Sequence, residues 1–305
     1  MNYVEQHGQL SVSGNKIINK NNNIVCFSGP SLFWSNTNWG GEKYYNSDTI
    51  KNLNIEWNAP IIRVPMGVDE QNGYLQDINN KTKVETVIDA AIENGMYVIV
   101  DWHTHYAEKY QEQSITFFKE ISYKYGKYPN IIYEIYNEPI DTKWDIIKIY
   151  AENVIKEIRE NDKNNIIIVG TPNWSRDVDI VSMDPIKNFD NITYALHFYA
   201  GTHHHELRKK ATIALNNNIC LFISEWGTVN YDGNGYLNVD CVNEWIKFMK
   251  YNKISNCIWS LNDKKESASI LKCGSNIFGN WSENDFTETG LFAKKLIKKW
   301  EGNKL

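Results

Sequence analysis

The sequence has no apolar run approaching twenty residues, so no segment reads as a membrane span. Its five cysteines, Cys26, Cys220, Cys241, Cys257 and Cys273, form no CxxC pair and no metal-ligand spacing. Their odd number leaves at least one unpaired. Cys26, Cys220 and Cys257 sit in apolar runs and read as buried thiols. Positive charge is not in excess: 32 Lys and Arg face 37 Asp and Glu, a net charge of −5. That balance argues against nucleic acid or an anionic membrane surface as a partner. The opening residues, MNYVEQHGQL, are polar and do not read as a secretory leader. No internal repeat, linker or low-complexity hinge divides the chain. The expectation is therefore one domain over residues 1–305.

Aromatic residues are abundant, with 11 Trp and 18 Tyr. Part of that excess serves a large core. Part suits stacking surfaces for flat, hydroxyl-rich ligands. Residues 1–22 centre on Ser13-Gly14-Asn15, a hairpin signal, and are expected to cap one end of the fold. Beyond them, short apolar runs alternate with helical stripes. The runs are Ile24–Phe27, Ile61–Val64, Tyr97–Val100, Ile131–Tyr136, Ile166–Val169, Thr193–Leu196, Leu221–Ser224 and Cys257–Trp259. A near-continuous apolar strand is one buried on both faces, which means a parallel sheet. Eight such strands with intervening helices predict a closed (β/α)8 TIM barrel.

Polar and aromatic residues then collect at one end of these strands. Arg63, His103, Asn137-Glu138, His197 with Tyr199, Glu225 and Trp259 all lie at or just past C-terminal tips. Core packing does not require that coincidence, whereas a shared catalytic face does. Pro139 ends the strand that carries Glu138, because it cannot donate to a ladder and holds its predecessor extended. Two glutamates on one face suit retaining glycosidic cleavage, in which one protonates the leaving oxygen and the other attacks the anomeric carbon. Arg63 is expected to keep Glu225 ionised, and Tyr199 to orient it. Desolvation and the charge of Glu225 are expected to keep Glu138 protonated. Asn137 is placed to bond a sugar 2-hydroxyl and Trp259 to lie under the sugar. This chemistry calls for no metal and no cofactor. A rival reading takes His103-x-His105, His197 and His203–His205 as ligands of a metal-dependent barrel hydrolase. It leaves both glutamate tips unexplained.

In order along the chain, VIVDWH (98–103), YPNIIYEIYNEP (128–139), IIIVGTPNWSRDV (166–178), YALHFYAGTHHHELR (194–208), FISEWGT (222–228) and WSLNDKKESASIL (259–271) resemble glycoside hydrolase family 5, in particular its subfamily 2 endoglucanases. The resemblance implies Glu138 as acid/base and Glu225 as nucleophile, with Arg63, His103, Asn137, His197, Tyr199 and Trp259 in supporting positions. It further implies that Trp39 and Trp174 stack on glucose rings beyond the cleavage point. Lys264 and Glu266 would hold hydroxyls on the non-reducing side. The implied protein is a secreted, monomeric endo-β-1,4-glucanase consisting of a bare catalytic domain. Its partner is a β-1,4-linked glucan; β-mannan, xyloglucan, xylan and mixed-linkage glucan remain as alternatives. Two departures from the family pattern stand out: Thr104-His105-Tyr106 after DWH, and Gly67 where some relatives carry Tyr.

Overall fold

The computed structural model describes residues 1–300. A helix (Tyr3–His7) leads into an antiparallel hairpin, β1 (Ser11–Ser13) and β2 (Lys16–Ile18). Eight parallel strands then close a barrel: β3 (Ser28–Leu32), β4 (Ile61–Gly67), β5 (Tyr97–His103), β6 (Ile131–Glu134), β7 (Ile167–Val169), β8 (Ile192–Tyr199), β9 (Leu221–Gly227) and β10 (Asn256–Leu261). They follow chain order around the ring, and β10 pairs with β3. The main outer helices are Ser47–Trp57, Asn79–Glu93, Gln111–Tyr125, Trp144–Asn161, Val178–Met183, His205–Asn216, Val239–Asn252 and Glu288–Lys298.

The first barrel strand differs from expectation. It is Ser28–Leu32 rather than Ile24–Phe27. Ile24 instead bridges Ile18, and Val25 donates its N–H to Ile17 O at 3.0 Å. The true strand is disguised by small and polar residues. A Cβ on Gly29 would lie 1.9 Å from Ile61 O, so only glycine allows β3 to approach β4 this closely. The N-terminal helix, Tyr3–His7, is too short to show a periodic apolar stripe in the sequence.

Strand periodicity sorts the side chains into layers. One set of alternate residues faces the helices: Ile62, Val64, Met66, Val98, Val100, Tyr133 and Leu196 join their apolar stripes in one large core. The other set points into the barrel. Its lower layers are apolar, with Ile61, Ile99, Ile132, Ile168, Ala195, Phe222 and Cys257 packed together. Leu10, Ile17, Val25 and Phe27 from the N-terminal segment belong to the same cluster and close that end. Two residues further along six of these strands the interior turns polar or aromatic, at Arg63, Asp101, Glu134, His197, Ser224 and Trp259; the seventh, β7, has Gly170 there. The apolar floor thus sets the height at which the polar layer begins.

Candidate active site

Arg63 is the hub of this layer and is fully buried. Its Nε donates to Glu134 Oε2 at 2.7 Å, Nη1 to Glu225 Oε2 at 2.8 Å and Nη2 to Asn137 Oδ1 at 2.7 Å. Asp101 Oδ2 lies 3.0 Å from Nη2 and accepts from His103 Nδ1 at 2.6 Å. A planar guanidinium with five donors in a fixed fork suits such a cluster. Burying it without these carboxylates would be prohibitive, and they in turn need its charge.

Glu225 owes its place to an irregularity. From Phe222 to Glu225, β9 spends one residue more than β8 does from Ala195 to His197. The same surplus recurs against β10, between Ile223 and Trp226. A bulge of this kind re-aims side chains. Here it lets the consecutive residues Ser224 and Glu225 both reach the site. Tyr199 Oη donates to Glu225 Oε1 at 2.8 Å, so both carboxylate oxygens accept a hydrogen bond.

Glu138 lies just past β6. Its Oε1 is 2.9 Å from His197 Nδ1. His197 Nε2 lies 2.9 Å from Ser224 Oγ, which donates to Glu134 Oε1 at 2.5 Å. Because the serine proton goes to Glu134, Nε2 is the donor toward Ser224. The proton between His197 and Glu138 therefore has two seats, Nδ1 and the carboxylate. Burial lowers the His197 pKa, but hydrogen bonds to Glu134 and Glu138 and the charge of Glu225 outweigh it, giving about 9. Burial raises Glu138, yet the hydrogen bond and charge of His197, with His105 and Arg63, bring it below the usual value. Glu225 is raised, by burial and by Glu138, with Arg63, His197 and Tyr199 opposing. These directions reverse the expected tuning of the two glutamates. The physical reason is His197, whose hydrogen bond and charge stand against Glu138.

The remaining residues form walls around the carboxylates. The Trp259 ring stacks on His103 with centroids 5.6 Å apart, and Arg63 lies 6.0 Å from its centroid. Trp34 meets His103 edge-on at 4.1 Å and lies 5.2 Å from Trp39. Lys264 Nζ sits 3.6 Å from Glu266 Oε2 and 4.1 Å from the centre of the Phe33 ring. Trp174 stands apart from this wall, beside Glu138, with its backbone N–H donating to Pro139 O at 2.8 Å. Asn173, Trp174 and Ser175 are all left-handed, at φ 59°, 57° and 53°. This turn is held by Ser175 Oγ donating to Asn137 O at 2.7 Å, and it leaves the Trp174 side chain 40% exposed.

Asp101, Glu134 and Ser224 were given no role from the sequence. Their signal was present, since a charged residue inside an apolar strand must find a buried partner. Of the two departures noted there, His105 bonds the Glu138 carbonyl at 3.0 Å, and a Cβ on Gly67 would lie 1.7 Å from Asn36 Oδ1, so a side chain there requires Asn36 to move. The metal reading does not match the geometry. His103 bonds Asp101, His203 faces Arg176 and Tyr199, and His204 bonds Ala200 O. Among the described residues, Glu138, His197 and Glu225 are the group of ligand type that converges, with atoms within 4.8 Å of one another. Both His197 nitrogens are engaged and a guanidinium abuts Glu225, so this set does not suit a cation.

Residues 18–265 match the family described as cellulase, glycosyl hydrolase family 5. The chain belongs to that family. It is 53% identical over 293 residues to Endoglucanase Z of Dickeya dadantii, covering 95% of this chain and 66% of that protein. The chain spans about two thirds of the length of such curated relatives. A solved structure from Cytophaga hutchinsonii superposes with a TM-score of 0.94 at 44% identity, covering 98% of this chain and 97% of the other. The catalytic domain of Thermobifida fusca endoglucanase Cel5A gives 0.92 at 30% identity, covering 98% and 100%, and a variant of it is solved in complex with cellotetraose. Among the described residues no helix is long and apolar enough to cross a membrane.

Proposed function

We propose that the chain is a retaining endo-β-1,4-glucanase. The observation that carries this reading is the spacing of Glu138 and Glu225, whose facing oxygens lie within 4.8 Å. Inverting enzymes need roughly 6.5–9.5 Å between carboxyl groups to admit a water, whereas retaining ones sit at about 5–5.5 Å. Glu225 attacks the anomeric carbon, and the bond to the leaving oxygen breaks. Glu138 delivers a proton to that oxygen. The proton reaches Glu138 from His197 Nδ1 along their 2.9 Å hydrogen bond as the negative charge of Glu225 is consumed. Water then cleaves the glycosyl ester, with Glu138 accepting its proton.

The supporting residues follow from their partners. Arg63 and Tyr199 hold both oxygens of Glu225. Asn137 Oδ1 accepts from Arg63 Nη2, which leaves the Asn137 amide nitrogen for the sugar 2-hydroxyl. His103 fixes the Trp259 platform by stacking. Trp39, Lys264 and Glu266 border the non-reducing side, and Trp174 the leaving-group side. The substrate class is supported by endoglucanase relatives and by a neighbour solved with cellotetraose. The reading includes a single catalytic domain acting as a monomer. Because a polymer of this kind does not enter cells, the protein acts outside them.

The test follows viscosity and reducing ends together on carboxymethylcellulose, mixed-linkage β-glucan, mannan and xylan. A fast fall in viscosity on the glucans, lost in Glu225→Gln, is the expected result. Turnover confined to mannan or xylan would overturn the substrate assignment. Activity surviving in Glu225→Gln would overturn the nucleophile.

A further inference from the structure

A cavity of about 430 Å³ opens on the Glu138 side of the carboxylates. Besides Glu138 and Glu225, its lining includes Trp174, Arg176, His203 and Tyr231, but not Trp39, Trp259, Lys264 or Glu266. Since Glu138 protonates the leaving oxygen, this lobe is where the leaving-group sugar lies. Arg176 is the notable wall residue. Its Nε donates to Asn173 O at 2.8 Å and its Nη2 to Asn173 Oδ1 at 2.7 Å, with the guanidinium 5.2 Å from the centre of the Trp174 ring. The left-handed turn therefore pins both Trp174 and the cation beside it. Among the described residues, no carboxylate pairs with Arg176.

The contact with His203 is chemically incomplete. The Tyr199 backbone N–H donates to His203 Nδ1 at 2.9 Å. A neutral imidazole accepting at Nδ1 carries its proton on Nε2. That Nε2 faces Arg176 Nη1 at 3.1 Å, so two donors meet with no acceptor between them. Burial and the Arg176 charge push His203 down to about 4, so it stays neutral at working pH. Tyr231 also lines the lobe, 71% exposed, with its backbone N–H donating to Thr202 Oγ1 at 3.1 Å. A cation beside an indole, an N–H donor next to that cation and the Tyr231 ring in the same lining make a receptor for an anionic sugar.

We propose that the leaving-group subsite recognises a carboxylate-bearing sugar residue, with Arg176 and His203 Nε2 donating to the carboxylate and Trp174 and Tyr231 flanking the ring. This rests on the glucanase reading above. It predicts preference for β-glucan chains carrying carboxylates, whether as uronic acid or as carboxymethyl groups.

The probe is carboxymethylcellulose measured against neutral mixed-linkage β-glucan, using the intact chain, Arg176→Gln and Arg176→Lys. Turnover of the neutral polymer shows that each variant is folded. The ratio of kcat/KM on the charged polymer to that on the neutral one should fall about tenfold in Arg176→Gln and less in Arg176→Lys. In the unaltered protein the ratio should drop as salt rises, and in Arg176→Gln it should respond less. Mass spectra of the products should show fewer fragments with a carboxymethylated non-reducing end in Arg176→Gln. An unchanged ratio with the same salt response would overturn the proposal and leave the glucanase reading intact. Failure of the unaltered protein on both polymers would refute that reading and this inference with it.

Discussion

Replacing Glu134 by Gln tests whether the buried polar layer governs the catalytic proton. Glu134 touches no part of the cavity, yet it accepts from Arg63 Nε, accepts from Ser224 Oγ and lies 3.5 Å from His197 Nε2. Its hydrogen bond is the leading influence that raises His197 against burial, to about 9. Glutamine keeps the shape and removes the charge. A hydrogen bond to a charged group contributes roughly 1.5–3 kcal/mol. At about 1.36 kcal/mol per pKa unit, His197 should fall by about one to two units. The proton shared by His197 and Glu138 is then lost at lower pH. The assay is the pH profile of kcat/KM on a soluble β-glucan, below the variant's unfolding temperature. The alkaline limb, which reports this shared proton in the free enzyme, should move down by about one to two pH units. An alkaline limb that stays in place, or moves up, would refute the route from Glu134 through Ser224 to His197.

Three further outcomes follow from the same geometry. Glu138→Gln should lose about 10²–10⁴ in rate on polymer while still forming the glycosyl-enzyme from aryl glycosides with good leaving groups, which need little acid help; equal losses on both substrates in steady-state and burst kinetics would remove Glu138 as the acid. Trp174→Gly should be about 1 kcal/mol more stable to urea than Trp174→Ala, because residue 174 is left-handed at φ 57° and glycine adopts that conformation without a Cβ clash; equal midpoints would mean that the turn relaxes. For stability against pH, His197 is raised from 6.5 to about 9 in the folded state, so its favourable contribution is complete below pH 6.5 and lost as pH rises through 9. Urea unfolding should show the loss, on the order of 3 kcal/mol, in the unaltered protein and not in His197→Asn; parallel curves over that window would contradict it.

The barrel was legible because its strands carry continuous apolar runs, and Glu138 and Glu225 because each ends such a run. Pro139 marked where the extended segment stops, although β6 itself ends at Glu134, short of the apolar run Ile131–Tyr136. What stayed hidden depends on contacts between distant residues. Ser28–Leu32 reads as a loop until Gly29 is set against Ile61 O. The surplus residue in β9 is visible only as pairing with β8 and β10, so nothing local told that Ser224 and Glu225 share a face. Trp174 was placed by resemblance alone, since three successive left-handed residues follow no propensity. The tuning of Glu138 was misjudged because the sequence puts His197 fifty-nine positions away, whereas the barrel puts it 2.9 Å away. Asp101 and Glu134 were overlooked as strand residues, although burial with Arg63 is the arrangement that makes them tolerable.

The most direct test of the account is the anomeric configuration of the first product. Proton NMR recorded during the first turnovers on cellopentaose separates the two anomers before they equilibrate. With Glu138 and Glu225 as close as the fold holds them, the product released first should be the β-anomer, appearing ahead of the α form. An α-anomer appearing first would mean single displacement by water, and the two-carboxylate mechanism proposed for this cleft would be wrong.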